Sequence, residues 1–183
     1  SNAISDELFQ KIVAILRIAV PYTGLIVSTR ESQRTREMVI KYGVSQISGG
    51  SRTSVVGYVD PEPEEENAAQ FDVIYNRTLD EVVRWLMEMD YIPSFCTACY
   101  REGRTGDRFM SLCKSGQIQN CCHPNALMTL EEYLMDYASP ATKAIGDKLI
   151  DKEVLNVPNE QVRKTVLENL KLIREDNRRD FRF

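Results

Sequence analysis

The sequence predicts an α/β chain that is mostly helical, with a short parallel-strand unit first and a helical half behind it. Two observations carry this. Up to residue 47 the apolar residues alternate between helical and strand spacing, in the order helix, strand, helix, strand, which sets consecutive strands parallel. From residue 78 onward, Ser/Thr-x-x-Glu patterns open segments whose apolar residues recur every three or four positions, the mark of amphipathic helices.

Taken in order, Ser1, Asn2 and Ala3 read as the scar of a removed tag, and a helix starting directly behind it suggests a piece of a longer protein. That helix takes Ser5 as its N-cap and places Leu8, Ile12, Ile15 and Ala19 on one face. Tyr22 to Arg30 reads as a short apolar strand ending in polar groups. The next helix, Glu31 to Tyr42, has Met38, Val39 and Tyr42 as its core face and Gly43 as its stop. Val44 to Ile47 reads as a second strand, followed by Ser48, Gly49, Gly50 and Ser51.

Asp60 to Asn67, with two prolines and four glutamates, reads as an acidic loop, and Phe71 to Tyr75 as a short extended segment. Thr78 to Glu81 opens a helix that turns Leu79, Val82, Val83 and Leu86 inward, runs to about Asp90 and stops before Pro93. Thr129 to Glu132 repeats the opening pattern ahead of Leu130, Tyr133, Leu134 and Tyr137. Further helices are expected over Thr142 to Ile150 and Asn159 to Asp176, the latter facing the core through Val162, Val166, Leu170 and Ile173. The expected organisation is a tag remnant at 1–3, an α/β part at 4–59, an acidic loop at 60–70 and a helical domain at 71–183.

A chain of 183 residues buries enough surface to fold without staples, and its formal net charge of −4 argues against a broad electrostatic grip on nucleic acid. Arg174, Arg178, Arg179 and Arg182 form a locally basic end that reads as a solvated tail rather than as a surface for an acidic partner. The absence of a signal peptide or an 18-residue apolar run leads us to expect a cytoplasmic protein with reduced thiols and no membrane partner.

Five cysteines, three of them between Cys113 and Cys122, are too few and too local to staple a domain. Cys96, Cys99 and Cys122 instead form C-x2-C-x22-C, a tight two-sulfur clamp with a distant third ligand. Three ligands leave a bound metal or cluster with an open position. On spacing alone Cys113 and Cys121 are rival third ligands, and zinc held by Cys96, Cys99, Cys121 or Cys122 and His123 is the competing occupant. Hydrogen bonding is the plainer role for His123, and a structural one for Cys113 within Phe109 to Cys113. Arg101, Arg104 and Arg108 lie between the clamp and the third cysteine, as ordinary surface arginines or as counter-charges to an anionic cluster.

The run Cys96-Thr97-Ala98-Cys99-Tyr100-Arg101-Glu102-Gly103-Arg104-Thr105-Gly106, closed by Cys122-His123-Pro124-Asn125-Ala126, resembles the C-terminal domain of the radical S-adenosylmethionine tyrosine lyases that mature FeFe-hydrogenase. The related 2-iminoacetate synthase of thiamine synthesis shares the general layout but lacks this three-cysteine tail. The resemblance implies the last strand-helix units of a (β/α)8 radical SAM barrel followed by a helical C-terminal cluster-binding domain. It implies an enzyme that cleaves L-tyrosine at Cα–Cβ into p-cresol and dehydroglycine, and converts the latter to carbon monoxide and cyanide. Cys96, Cys99 and Cys122 would then hold a 4Fe-4S auxiliary cluster with an additional iron. S-adenosylmethionine and its own 4Fe-4S cluster would belong to a part of the enzyme outside this chain, because no C-x3-C-x2-C triplet occurs in it.

By the same resemblance Ser28, Arg30 and Ser48 stand on the carboxyl rim of the strands as substrate-binding candidates, Arg30 for the tyrosine carboxylate. Other hydrogenase maturation proteins are the implied partners. The chain alone is expected to be inactive, and an incomplete barrel to favour dimerisation or strand exchange. The alternative is a zinc-stabilised interaction module without chemistry.

Overall fold

The computed structural model describes residues 4–51 and 77–183, and the chain divides into two compact units, residues 1–79 and 80–183. The expected acidic loop and the extended segment Phe71 to Tyr75 lie outside the described residues.

The first unit holds α1 (Asp6–Ala19), β1 (Ile26–Val27), α2 (Gln33–Lys41) and β2 (Gln46–Ile47). Ser5 caps α1, its side chain accepting from the Leu8 amide. The strands are parallel, as their order in the sequence predicts, with Ile26 opposite Gln46 and Val27 opposite Ile47. Each is two residues long, shorter than its apolar run. The core is Val13, Val27 and Val39, with Phe9, Leu25, Val44 and Ile47 packed against it.

Two helical faces therefore differ from expectation. Apolar residues surround α1, and burial selects the Phe9 and Val13 side, leaving Leu8 at 47%, Ile12 at 38% and Ile15 at 64% exposure. On α2 the buried set is Thr35, Arg36, Val39 and Ile40, while Tyr42 is the exposed C-cap. Gly43 does end α2, at φ +100. A Cβ there would meet Arg17 Nε at 2.9 Å, because Arg17 donates to the Gly43 carbonyl and, through Nη1, to the carbonyls of Pro21 and Thr23.

The second unit packs α6 (Gln119–Asp136) against α7 (Pro140–Glu153) and α8 (Glu160–Asp176), with α3 (Leu79–Glu88) completing the core. Leu127, Met128, Leu130, Leu134, Ile150, Val166 and Ile173 are essentially inaccessible to solvent. Burying each such side chain contributes roughly 1.5–3 kcal/mol. Gly146 on α7 lets α6 approach closely, since a Cβ there would collide with the Leu134 side chain. Short helices α4 (Ala98–Arg101) and α5 (Gly106–Lys114) precede α6.

Thr129 does not open a helix. It lies inside α6 and turns its hydroxyl back to the Asn125 carbonyl at 2.8 Å. The helix runs through Pro124, which removes one backbone bond near its start without ending it. Tyr137 is 77% exposed and Leu79 44%, so neither belongs to the core assigned to it, whereas Val166, Leu170 and Ile173 on α8 do. The basic end is anchored rather than loose: Phe181 and Phe183 pack on the core and Arg174 reaches the buried Glu131 carboxylate at 2.8 Å, while Arg178 and Arg182 stay exposed.

Helices α3 and α7 meet through a carboxylate. Asp80 accepts from the Ser139 amide at 3.0 Å and from the Ser139 and Thr142 hydroxyls at 2.8 Å each. Burial raises its pKa, but these bonds and Arg84 outweigh that and hold it below the ordinary value. A carboxyl with a depressed folded pKa stabilises the fold above its unfolded value of about 3.9 and loses that contribution as pH falls further. Asp80→Ala should therefore cost about 1–3 kcal/mol at neutral pH in chemical denaturation, with the deficit shrinking below about pH 4. An unchanged midpoint contradicts this role.

Candidate functional site

At the carboxyl ends of the two strands stand Ser28 and Ser48, with exposed Arg30 two residues beyond Ser28. The Ser28 hydroxyl accepts from the Arg30 amide at 3.2 Å, which turns the chain at the strand end. The groups that organise this rim are not the serine side chains but their carbonyls. Fully buried Arg36 on α2 donates to Ser28 O at 3.2 Å and to Ser48 O, tying both strand ends to the helix between them. The sequence reading passed over Arg36; its register with Val39 and Ile40 on the buried side of α2 was the available signal.

The cysteines occupy a second place, within the helical unit. Phe95 stacks on Tyr133 of α6 with ring centroids 4.8 Å apart, and Ser94 accepts from the Cys96 amide, so the extended segment after α3 is anchored where Cys96 begins. The Cys96 sulfur faces the Ala98 amide at 3.4 Å, at the opening of α4. Cys99 lies one turn on, and its carbonyl accepts from the Arg104 amide at 2.8 Å, reversing the chain through Gly103 at φ +61. Cys122 arrives from elsewhere, in the first turn of α6.

Cys96, Cys99 and Cys122 line one cavity of about 410 Å³ together with Thr97, Arg104 and Phe109. Cys113 and Cys121 are not in its wall, nor is His123, whose Nε2 lies 3.8 Å from Glu153 Oε2. The helix α5 that carries Cys113 has no fully buried residue, and Cys113 is half-buried on it. Arg101 and Arg108 are exposed, Arg101 paired with Asp180 and Arg108 donating to the Glu102 carbonyl. Arg104 is 9% exposed.

One bridge holds the two cysteine-bearing segments together. Arg104 donates through Nη2 to the Phe183 carbonyl, the Phe183 amide donates to Asn125 Oδ1 at 2.8 Å, and Asn125 sits on α6 three residues past Cys122. The tail reinforces it through Arg101 with Asp180, Arg182 with Glu102 at 2.9 Å, and the Asp180 amide with Glu132 at 2.7 Å. The sequence reading missed this tail. Its alternation of arginine with Phe181 and Phe183 marks a segment with apolar anchors, not a solvated end.

Burial and then the neighbouring Cys99, Cys96, Cys121 and Cys113 push the Cys122 thiol up to about 11. The Cys122 thiol thus carries its proton at neutral pH until a metal takes its place. Among the described residues no three His, Cys, Asp or Glu groups gather closely enough to hold a single ion. A zinc ion needs its sulfurs about 2.3 Å from one centre. Soft donors ringing a cavity fit a polynuclear iron-sulfur core better, because its bulk keeps the ligating sulfurs apart.

Residues 1–92, half of the chain, match the Biotin and Thiamin Synthesis associated domain. The chain belongs to that family. The Biotin and Thiamin Synthesis associated domain covers the α/β unit and α3 and stops before Cys96, so the cysteine cavity lies beyond it. Among solved structures, HydG, described as a maturase of the [FeFe]-hydrogenase, matches with a TM-score of 0.90 and 50% identity over 98% of this chain and 38% of its own. The FeFe-hydrogenase maturase HydG from Carboxydothermus hydrogenoformans matches with a TM-score of 0.66 and 38% identity, over 93% of this chain and 35% of its own. This chain therefore spans little more than a third of either. No curated protein matches it. Among the described residues no helix is long and apolar enough to cross a membrane.

The raised Cys122 pKa has a measurable consequence in the metal-free chain. A thiol whose folded pKa exceeds its unfolded value of 9.0 favours the fold while protonated, and that contribution is lost as pH rises toward about 11. In reductant, Tm of the wild type should fall more steeply across this window than that of Cys122→Ser. Parallel curves contradict it.

Proposed function

We propose that the chain is the auxiliary-cluster region of a radical S-adenosylmethionine tyrosine lyase acting in FeFe-hydrogenase maturation. The observation that carries this is the meeting of three cysteines from two separate segments at one cavity, in a chain half identical over nearly its full length to a maturase of that hydrogenase. Cys96, Cys99 and Cys122 hold a 4Fe-4S cluster; Cys113, Cys121 and His123 do not. When bound, a cluster with three protein ligands supplies an iron whose remaining position is exchangeable, which is where an additional iron would be carried.

The chain's own residues have definite tasks in this reading. Ala98 N–H faces the Cys96 sulfur and supports it as a thiolate, as hydrogen bonds to anionic sulfur do. Phe109 and Thr97 form part of the cavity wall. In the other unit Ser28, Arg30 and Ser48 contact substrate, with Arg30 receiving the tyrosine carboxylate and Arg36 holding the rim in shape. The rest of the enzyme supplies S-adenosylmethionine and its cluster, breaks the tyrosine Cα–Cβ bond and passes dehydroglycine on as the source of carbon monoxide and cyanide. Its cytoplasmic partners are other hydrogenase maturation proteins.

Anaerobic reconstitution with iron and sulfide tests the assignment. The wild type should bind about four irons per chain, absorb near 400 nm and give an EPR signal on reduction. Cys96→Ser, Cys99→Ser and Cys122→Ser should each lose most of the iron, while Cys113→Ser and Cys121→Ser keep it. Stoichiometric zinc that resists exchange would overturn the reading in favour of an interaction module.

A further inference from the structure

Arg104 is the one arginine of the cysteine segment drawn into the fold, at 9% exposure, and it lines the cavity beside Cys96, Cys99 and Cys122. Its Nη2 is committed to the Phe183 carbonyl, yet its Nε is buried without a hydrogen-bond partner among the described residues. A buried guanidinium with an unused N–H is costly, and such a donor is stable where an acceptor arrives with a ligand. The acidic groups Glu102 and Asp180 are bonded elsewhere, Glu102 to Arg182 and Asp180 to Arg101, although the Glu102 charge still acts on Arg104. What the cavity offers instead is sulfur.

We propose that Arg104 is a positioning residue for the cavity's occupant, its Nε–H donating to an anionic sulfur of the cluster or of a ligating cysteine and so raising the reduction potential. This rests on the cluster reading above. A donor and a full positive charge beside the cluster favour the reduced, more negative state. The anchor on Phe183 is what holds the fork in place, since the free rotamers of a long side chain would otherwise dilute the effect.

The test is an anaerobic, EPR-monitored redox titration of the reconstituted chain. Arg104→Gln should bind the same amount of iron at a distinctly lower potential, and Arg104→Lys, which keeps charge without the fork, should fall between it and wild type. Arg108→Gln is the control, because it removes a neighbouring positive charge that is exposed and stands outside the cavity wall; it should keep the wild-type potential. If Arg104→Gln fails to fold, the lowered potential of Arg104→Lys decides. Equal potentials in wild type and both Arg104 variants, or an equal drop in Arg108→Gln, overturn the inference while leaving the cluster standing. A wild-type chain that binds no cluster sinks the cluster reading itself, and this inference with it.

Discussion

The arrangement of the helical unit depends on one helix having two tasks. From Leu127 to Leu134, α6 is the centre of the core, packed on α7 and α8, and its first turn carries Cys122. A helix pinned so firmly at one end fixes the direction in which its other end points. The remaining problem is to bring Cys96 and Cys99 to that fixed point, although they sit on a segment with little core of its own. Phe95 stacked on Tyr133, and the link from Arg104 through Phe183 to Asn125, both draw that segment onto α6. The tail is thus part of the site's frame.

This frame explains the electrostatics of the cavity. Burial, and after it the neighbouring thiols, disfavour ionisation of Cys122, which is why it is pushed up so far. Thiolates there need compensation from a metal and from nearby donors. The amide of Ala98 beside Cys96 and the guanidinium of Arg104 are donors of that kind. The exposed ion pairs of Arg101 with Asp180 and Arg182 with Glu102 contribute little energy individually, but they fix the register of the tail.

Much of the fold was legible because local chemistry and tertiary packing agree. Ser5, Gly43 and Asn159 cap or stop helices where their side chains or backbone freedom dictate, and α8 buries Val166, Leu170 and Ile173 at helical spacing. The readings failed where two local signals competed. Leu8 and Ile12 match a helical stripe as well as Phe9 and Val13 do, and only the position of the neighbouring elements decides between them. Thr129 resembles a cap, yet α6 is stabilised on both sides by burial, and packing overrides so weak a local preference.

At the candidate site the spacing of Cys96 and Cys99 was readable, but the third cysteine was not settled by spacing, since Cys113, Cys121 and Cys122 all lie within reach along the chain. The cavity wall separates them, because residues 121 and 122 point to different sides of α6. Asn125 acts by hydrogen bonding to backbone distant in sequence, which leaves no periodic trace, whereas Arg36 is marked only by sharing the buried side of α2 with Val39 and Ile40. The most direct measurement of the central claim is thiol alkylation mapped by mass spectrometry, with and without anaerobic iron and sulfide. Protection of Cys96, Cys99 and Cys122 together, with Cys113 and Cys121 still reactive, is the predicted result; protection of Cys121 or Cys113 in place of Cys122 would contradict it.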